Sequence, residues 1–298
     1  MQARITAHPP VHAAIVRSLR AGEGLRIGRG DGCDLKIDHP SISRAHAELV
    51  PMAQGWRLCD LGSKNGSFLD GRPVHDDVLP PTVWLRFGDV YCEFRMLDAA
   101  EAAAADDGAR AQRVAATAHT ARLDAVSGLD ELLDASLRGA LELAQCERGF
   151  VLLARDDGFE VRASLAMDAA SLRRREFSGS VGAVRRALAE RRTVVANDIG
   201  REAWLSSRAS VVAAGLSALV CLPLHDGERA LGAIYADRVR PGSPITMLDQ
   251  ELLEAFAERA ALWLVARRAT ELLDAHAAAD LDARRWDGIV AAHAGDER

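Results

Sequence analysis

The chain has 298 residues, 49% of them hydrophobic and 27% charged, and a formal net charge of −6. This composition suits two soluble globular domains with separate cores and excludes a disordered chain. No broad basic field is available for a nucleic-acid backbone, and no uncharged apolar run reaches the roughly 18 residues of a membrane span, so neither nucleic acid nor membrane is an expected partner.

Residues 1–97 carry β signals. The N-terminal stretch MQARITAHPPVHAAIVRSLR lacks the apolar core of a signal peptide, which points to a cytoplasmic protein. Strand candidates follow as LRIGR (25–29), DLKI (34–37), AHAELV (45–50), GWRLCDL (55–61), VWLRF (83–87) and YCEFRML (91–97). Gly, Pro, Asp and Asn turns separate them, and the spacing predicts an all-β sandwich. Residues 98–127 are Ala-rich and charged. They predict a flexible joint near 104–108, at Asp106-Asp107-Gly108, and then a helix on which His119 is a surface residue.

From 128 to 268 helix and strand signals alternate. Leu129, Leu132, Leu133, Leu137 and Leu141 mark one helical face. Strands are expected at 149–154, 159–166, 193–198, 217–226 and 229–238, with a short helix at 181–192. A long helix starts near Thr246, with Leu252, Phe256, Ala260 and Leu264 along its stripe. The order implies an α+β domain, an antiparallel sheet with helices on one face. The run Arg173-Arg174-Arg175-Glu176 is expected to be a solvated loop, and 211–219 to fill the core. The tail 269–298 extends the helix and ends near a small cluster of Trp286, Ile289 and Val290. The five cysteines, Cys33, Cys59, Cys92, Cys146 and Cys221, are scattered and lack a C-x-x-C pair. They predict buried, reduced thiols and no metal site.

Chemistry concentrates in residues 25–71. One loop contains Gly28-Arg29, a second Ser41-Ile42-Ser43-Arg44 with His46 following, and a third Gly62-Ser63-Lys64-Asn65-Gly66. Strand-like segments separate them, so a sandwich can bring all three to one end. The residue types suit a phosphate monoester, with its −1.5 to −2 charge and three acceptor oxygens. Arg29 offers a fixed fork of donors, Ser43 a hydroxyl and an amide, and Lys64 a mobile point charge. Asn65 carries both a donor and an acceptor and can pair with the backbone of an extended peptide. Gly62 and Gly66 permit the turn that holds these groups.

The order Gly28-Arg29, Ser43-Arg44-Ala45-His46, Asn65-Gly66, with the run DLGSKNGSFLDG, resembles the forkhead-associated (FHA) family over about 1–97. The resemblance implies that Arg29 and Ser43 hold a phosphothreonine and that Arg44, Lys64 and Asn65 touch the phosphate or the nearby peptide. Gly28, His46, Gly62 and Gly66 would support the site, His46 by bracing the Ser43 loop from within. Ser67 and Asp70 depart from the family's usual Thr and Asn, but both lie past the phosphate loop. Residues 128–268 resemble the GAF family of sensory domains in their pattern of apolar positions. That resemblance implies a small-molecule pocket over the sheet, whose ligand stays unknown, and pairing of two copies through terminal helices. No cofactor is identified, and no nucleophile-elbow, HExxH, kinase or nucleotide-cyclising signature occurs, so an enzyme is not expected. The expected role is an adaptor that docks on a threonine-phosphorylated protein, a Ser/Thr kinase or its substrate. The alternative is a stand-alone or truncated relative of FHA–GAF transcription activators without their ATPase and DNA-binding parts.

Overall fold

A computed structural model describes residues 2–10, 12–156, 158–167, 181–197 and 216–283. The Arg173–Glu176 run, residues 211–215 and the Trp286 cluster lie outside the described residues.

Eleven strands build the N-terminal sandwich. They are β1 (Gln2–His8), β2 (Ile15–Leu19), β3 (Leu25–Gly28), β4 (Leu35–Lys36), β5 (Ala47–Met52), β6 (Gly55–Asp60), β7 (Ser67–Leu69), β8 (Arg72–Val74), β9 (Asp76–Val78), β10 (Thr82–Phe87) and β11 (Val90–Leu97). One sheet has the order β2-β1-β11-β10-β7-β8 and the other β4-β3-β5-β6-β9. All pairs are antiparallel except β3 with β4. Ile5, Ile27, Leu49, Trp56, Leu58, Leu85, Phe87 and Phe94 interdigitate between the sheets. β1 and β2 lie ahead of the first strand expected from sequence. β1 alternates apolar and polar residues, and Ala3, Ile5 and Ala7 point inward against β11.

Register places one end of the sandwich. His8 faces Tyr91, Phe87 faces both Val90 and Ser67, and Ala47 faces both Ile27 and Asp60. The connections β3–β4, β4–β5, β6–β7, β10–β11 and β1–β2 therefore all emerge at the same end.

Helix α1 (Ala99–Ala125) follows at the opposite end without a break, which overturns the joint expected at 104–108. Asp98 and Glu101 form a reciprocal capping box that fixes the helix start. Gly108 costs about 1 kcal/mol relative to Ala. The buried face of Ala116, His119 and Leu123 offsets that cost by packing on the second domain. His119 is accordingly only 7% exposed, with its Nε2 3.1 Å from Glu142 Oε2, and is not the surface residue expected.

The second domain comprises α2 (Leu129–Leu143), β12 (Arg148–Arg155), β13 (Gly158–Leu165), α3 (Val181–Glu190), β14 (Val194–Asn197), β15 (Ala218–Asp226), β16 (Arg229–Arg238) and α4 (Met247–Ala283). Its antiparallel sheet has the order β13-β12-β16-β15-β14. Helices cover both faces, not one. Val151, Val220, Leu222 and Ile234 pack under α1, α2 and α4. Phe150, Leu219, Cys221 and Tyr235 pack on the other face against Ala183, Val184 and Ala187 of α3. The central strands are apolar on both sides, the pattern of a sheet buried on both faces. Cys92 and Cys221 are buried as expected, whereas Cys33, Cys59 and Cys146 keep partial exposure.

The β1–β2 connection docks on this domain. Ala13 is fully buried in its core, Ala14 N–H donates to Ile245 O (2.9 Å), and Met247 N–H donates to Ala14 O (2.9 Å). Asn197 clamps the same segment, its amide donating to Ile245 O (3.0 Å) and accepting from Ile245 N–H (2.8 Å).

Candidate functional site

The first loop is set by a close approach. A Cβ on Gly28 would lie 2.4 Å from Arg44 O and 2.7 Å from Cys33 Sγ, so only glycine fits. Beyond it the two loops are laced by backbone bonds, Arg29 N–H to Ser43 O (2.9 Å) and Gly30 N–H to Arg44 O (3.0 Å). The Arg29 side chain emerges exposed, with its Nε donating to Ile42 O (3.3 Å).

His46 organises the second loop from beneath. It is 0% exposed, its Nδ1 accepts from Ser43 N–H (3.1 Å), and its Nε2–H donates to Gly66 O (3.2 Å). That pair of bonds selects the neutral Nε2–H tautomer. Phe87 packs edge-on against the ring at 5.6 Å. Burial lowers the His46 pKa from 6.5, against the raising effects of the Gly66 carbonyl and Asp60. The unfolded chain therefore binds this proton more readily than the folded one. Stability is full above pH 6.5 and falls as the pH drops through the folded-state value. Thermal unfolding between pH 8 and pH 5 is expected to show this loss, and His46→Gln, which cannot titrate there, to flatten it.

The third loop hangs on Asp60, a residue whose role here the sequence reading missed. Its Oδ1 accepts from Gly62 N–H (2.9 Å) and Ser63 N–H (2.8 Å), and its Oδ2 from the Ser63 (2.7 Å) and Ser67 (2.6 Å) hydroxyls. Burial alone would raise the Asp60 carboxyl, but the Ser67 and Ser63 bonds outweigh it and hold the pKa below 3.8. The signal was present: an Asp followed two and three residues later by Gly and Ser is a side-chain-closed turn. Ser67, although past the loop, thus helps brace it. Gly66 closes the turn in the left-handed region, at φ 77°.

The loops then meet. Ser43 Oγ accepts from Lys64 N–H (2.9 Å), and Asn65 Nδ2 donates to Ser41 O (2.8 Å). Ser41 Oγ also accepts from Asp89 N–H (2.9 Å), tying in the β10–β11 turn. Arg29, Ser43, Lys64 and Asn65 are therefore brought to one rim. Arg44 shares that rim through its backbone, with its side chain exposed. Among the described residues none of Arg29, Arg44 and Lys64 forms an ion pair with an acid, whereas nearby Lys36 pairs with Asp31. Exposed cations thus lie on loops laced to one another by backbone bonds and by the Ser43 hydroxyl, a set of groups whose chemistry suits a small dianion.

In the second domain, Phe150 stacks on Tyr235 at 4.9 Å. The Tyr235 hydroxyl donates to the buried Asp237 (2.7 Å), which also pairs with Arg148. Burial raises the Asp237 pKa although both partners oppose it. Among the described residues no cluster of His, Cys, Asp and Glu could hold a metal ion, and no helix is long and apolar enough to cross a membrane.

Comparison with known proteins agrees with this division. A family model described as the FHA domain matches residues 25–91, and one described as the GAF domain matches residues 128–264. The human protein kanadaptin is 36% identical over 81 residues, which is 24% of this chain and 10% of kanadaptin. The ABC transporter ATP-binding/permease protein Rv1747 of Mycobacterium tuberculosis is 40% identical over 73 residues, 23% of this chain and 8% of that protein. The chain thus spans a tenth or less of the curated relatives it matches. Among solved structures, an FHA domain studied for phosphothreonine-dependent interactions is 26% identical, covering 33% of this chain and 99% of its own, with a TM-score of 0.31. Mycobacterium tuberculosis EmbR in complex with a low-affinity phosphopeptide is 25% identical, covering 31% of this chain and 24% of its own, with a TM-score of 0.28. The chain carries an FHA domain at residues 25–91 followed by a GAF domain at residues 128–264.

Proposed function

We propose that this protein is a phosphothreonine-peptide-binding adaptor. Arg29 and Ser43 take the phosphate, Lys64 and Arg44 add charge at the rim, and Asn65 holds the backbone of the extended peptide. Gly28, His46, Gly62 and Gly66 keep these groups in place. The observation that carries the reading is the rim itself: among the described residues Arg29, Arg44 and Lys64 have no acid partner, while their loops are laced to one another at Ser43. Cations held near one another without counter-charges fit a site whose counter-charge arrives with the ligand. The partner is a threonine-phosphorylated protein, a Ser/Thr kinase or a kinase substrate. The GAF domain senses a small molecule, pairs two copies, or does both. Recruitment then raises the local concentration of whatever each domain holds.

Paired peptide libraries titrated onto the full chain test this. Phosphothreonine peptides are expected to bind and their unphosphorylated counterparts not to. Phosphoserine peptides are expected to bind more weakly, as the FHA resemblance implies a seat for the threonine methyl. Equal affinity for phosphorylated and unphosphorylated libraries would sink the adaptor reading.

A further inference from the structure

The outer face of the six-stranded sheet breaks the period-2 pattern where it adjoins this rim. Val83, Leu85 and Phe87 of β10 point into the core, so Trp84 and Arg86 occupy the face that alternation gives to polar residues. Trp84 is nevertheless 48% exposed, and Tyr91 on β11 43% exposed. Neither belongs to the apolar core of the sandwich. The patch is joined to the candidate phosphate site by a run of contacts. Gly66 follows Asn65, and a Cβ there would stand 3.3 Å from the Phe68 ring. The Arg86 guanidinium lies 3.7 Å over that ring and also donates to Gly88 O, while Gly88 N–H donates to Gly66 O (3.1 Å). Arg86 faces both Phe68 and Tyr91 across the sheet, and His8 lies 5.7 Å from Trp84. A concavity of about 430 Å³ opens among Asp70, Trp84, Arg86 and Tyr91.

We propose that this face is a second contact for the same phosphorylated partner and that it seats an apolar side chain of the partner's segment. The inference rests on the phosphopeptide reading above. Trp, Tyr and Arg are the residues that dominate protein-binding hot spots, and they are gathered here on the exposed face of one sheet. Distance supports one continuous ligand. From β7 across β10 to β11 is two strand spacings, about 10 Å, and Trp84 lies about 7 Å along β10 from Arg86. An extended peptide covers that path in roughly four to six residues at about 3.3 Å each.

The test uses the full chain and a fixed phosphothreonine peptide in which one leucine is scanned through the third to eighth positions on either side, with glycine elsewhere. The wild type is expected to bind the best leucine peptide roughly tenfold more tightly than the all-glycine peptide. The variant Trp84→Thr/Tyr91→Thr, which keeps strand-forming residues, is expected to bind both peptides like the all-glycine one. No leucine preference at any position, or a preference that survives in the variant, overturns the inference while leaving the phosphate site intact. Failure of the wild type to bind even the all-glycine phosphopeptide removes the phosphopeptide reading and this inference together. Loss of self-association in the variant without a change in leucine preference assigns the face to a second copy of the chain and also overturns the inference.

Discussion

Arg29→Ala is expected to cost about 2–4 kcal/mol of phosphothreonine-peptide affinity, roughly thirty- to several-hundredfold. The Arg29 side chain stands exposed on the loop that is laced to Ser43, and only its Nε is engaged, with Ile42 O. Its other donors meet nothing among the described residues, so truncation removes a charge-assisted anchor and leaves no buried group orphaned. The loop itself is held by the Arg29 backbone, through its N–H to Ser43 O, which alanine retains. Thermal unfolding should therefore stay near wild type while calorimetric titration shows the loss. Arg29→Lys separates charge from geometry: it keeps the cation, loses the fork, and is expected to fall between the two. Binding by Arg29→Ala with wild-type affinity would show that the phosphate is held elsewhere.

The loops that gather these groups were legible because small and cationic residues at fixed order stand out against strand patterns. Gly28-Arg29, Ser43 and Asn65-Gly66 are local signals, each a turn whose chemistry lies in two or three neighbouring residues. What escaped the sequence depends on distant partners. Asp60 is the exception: its partners Gly62, Ser63 and Ser67 are close in sequence, and its turn signal was masked because it ends the strand-like run GWRLCDL. His119 is polar and lies in an Ala-rich stretch, so nothing local marks it as buried. Its burial is decided by α2 and Glu142. The expected break at Asp106-Asp107-Gly108 failed for a related reason. Local propensity is worth about 1 kcal/mol there, and a capping box with a packed helix face exceeds it. The placement of helices on both faces of the second sheet was present in the apolar runs of β15 and β16, which leave no polar face to meet water.

Strand direction gives the two domains a shared edge. The loops of the candidate site and the β1–β2 connection emerge from one end of the sandwich, and that connection is hydrogen-bonded to Ile245 and Met247 of the GAF region. The linking helix α1 leaves from the far end and returns along the sandwich to reach it, with Gln112 bonded to Asp249 (2.7 Å) at the start of α4. The two modules are joined at two points, which makes the second domain more than a tethered passenger.

Gly28→Ala is expected to damage both the fold and the site, although it adds a single methyl group and changes no charge. The new carbon would lie 2.4 Å from Arg44 O, a backbone atom that cannot swing aside as a side chain can. Relief requires the Arg29 and Arg44 loops to part, and the bonds Arg29 N–H to Ser43 O and Gly30 N–H to Arg44 O lie across that gap. Overpacking of this kind costs about 1–3 kcal/mol of stability. The same movement carries Arg29 away from Ser43, so phosphopeptide affinity should fall further than stability alone accounts for at temperatures where the variant is folded. Gly32→Ala is the matched control, since a Cβ there meets nothing within 4 Å. It is expected to leave both melting temperature and affinity unchanged. If Gly28→Ala behaves like Gly32→Ala, the tight contact between the first two loops does not exist in solution, and the spacing of Arg29 and Ser43 loses its physical basis.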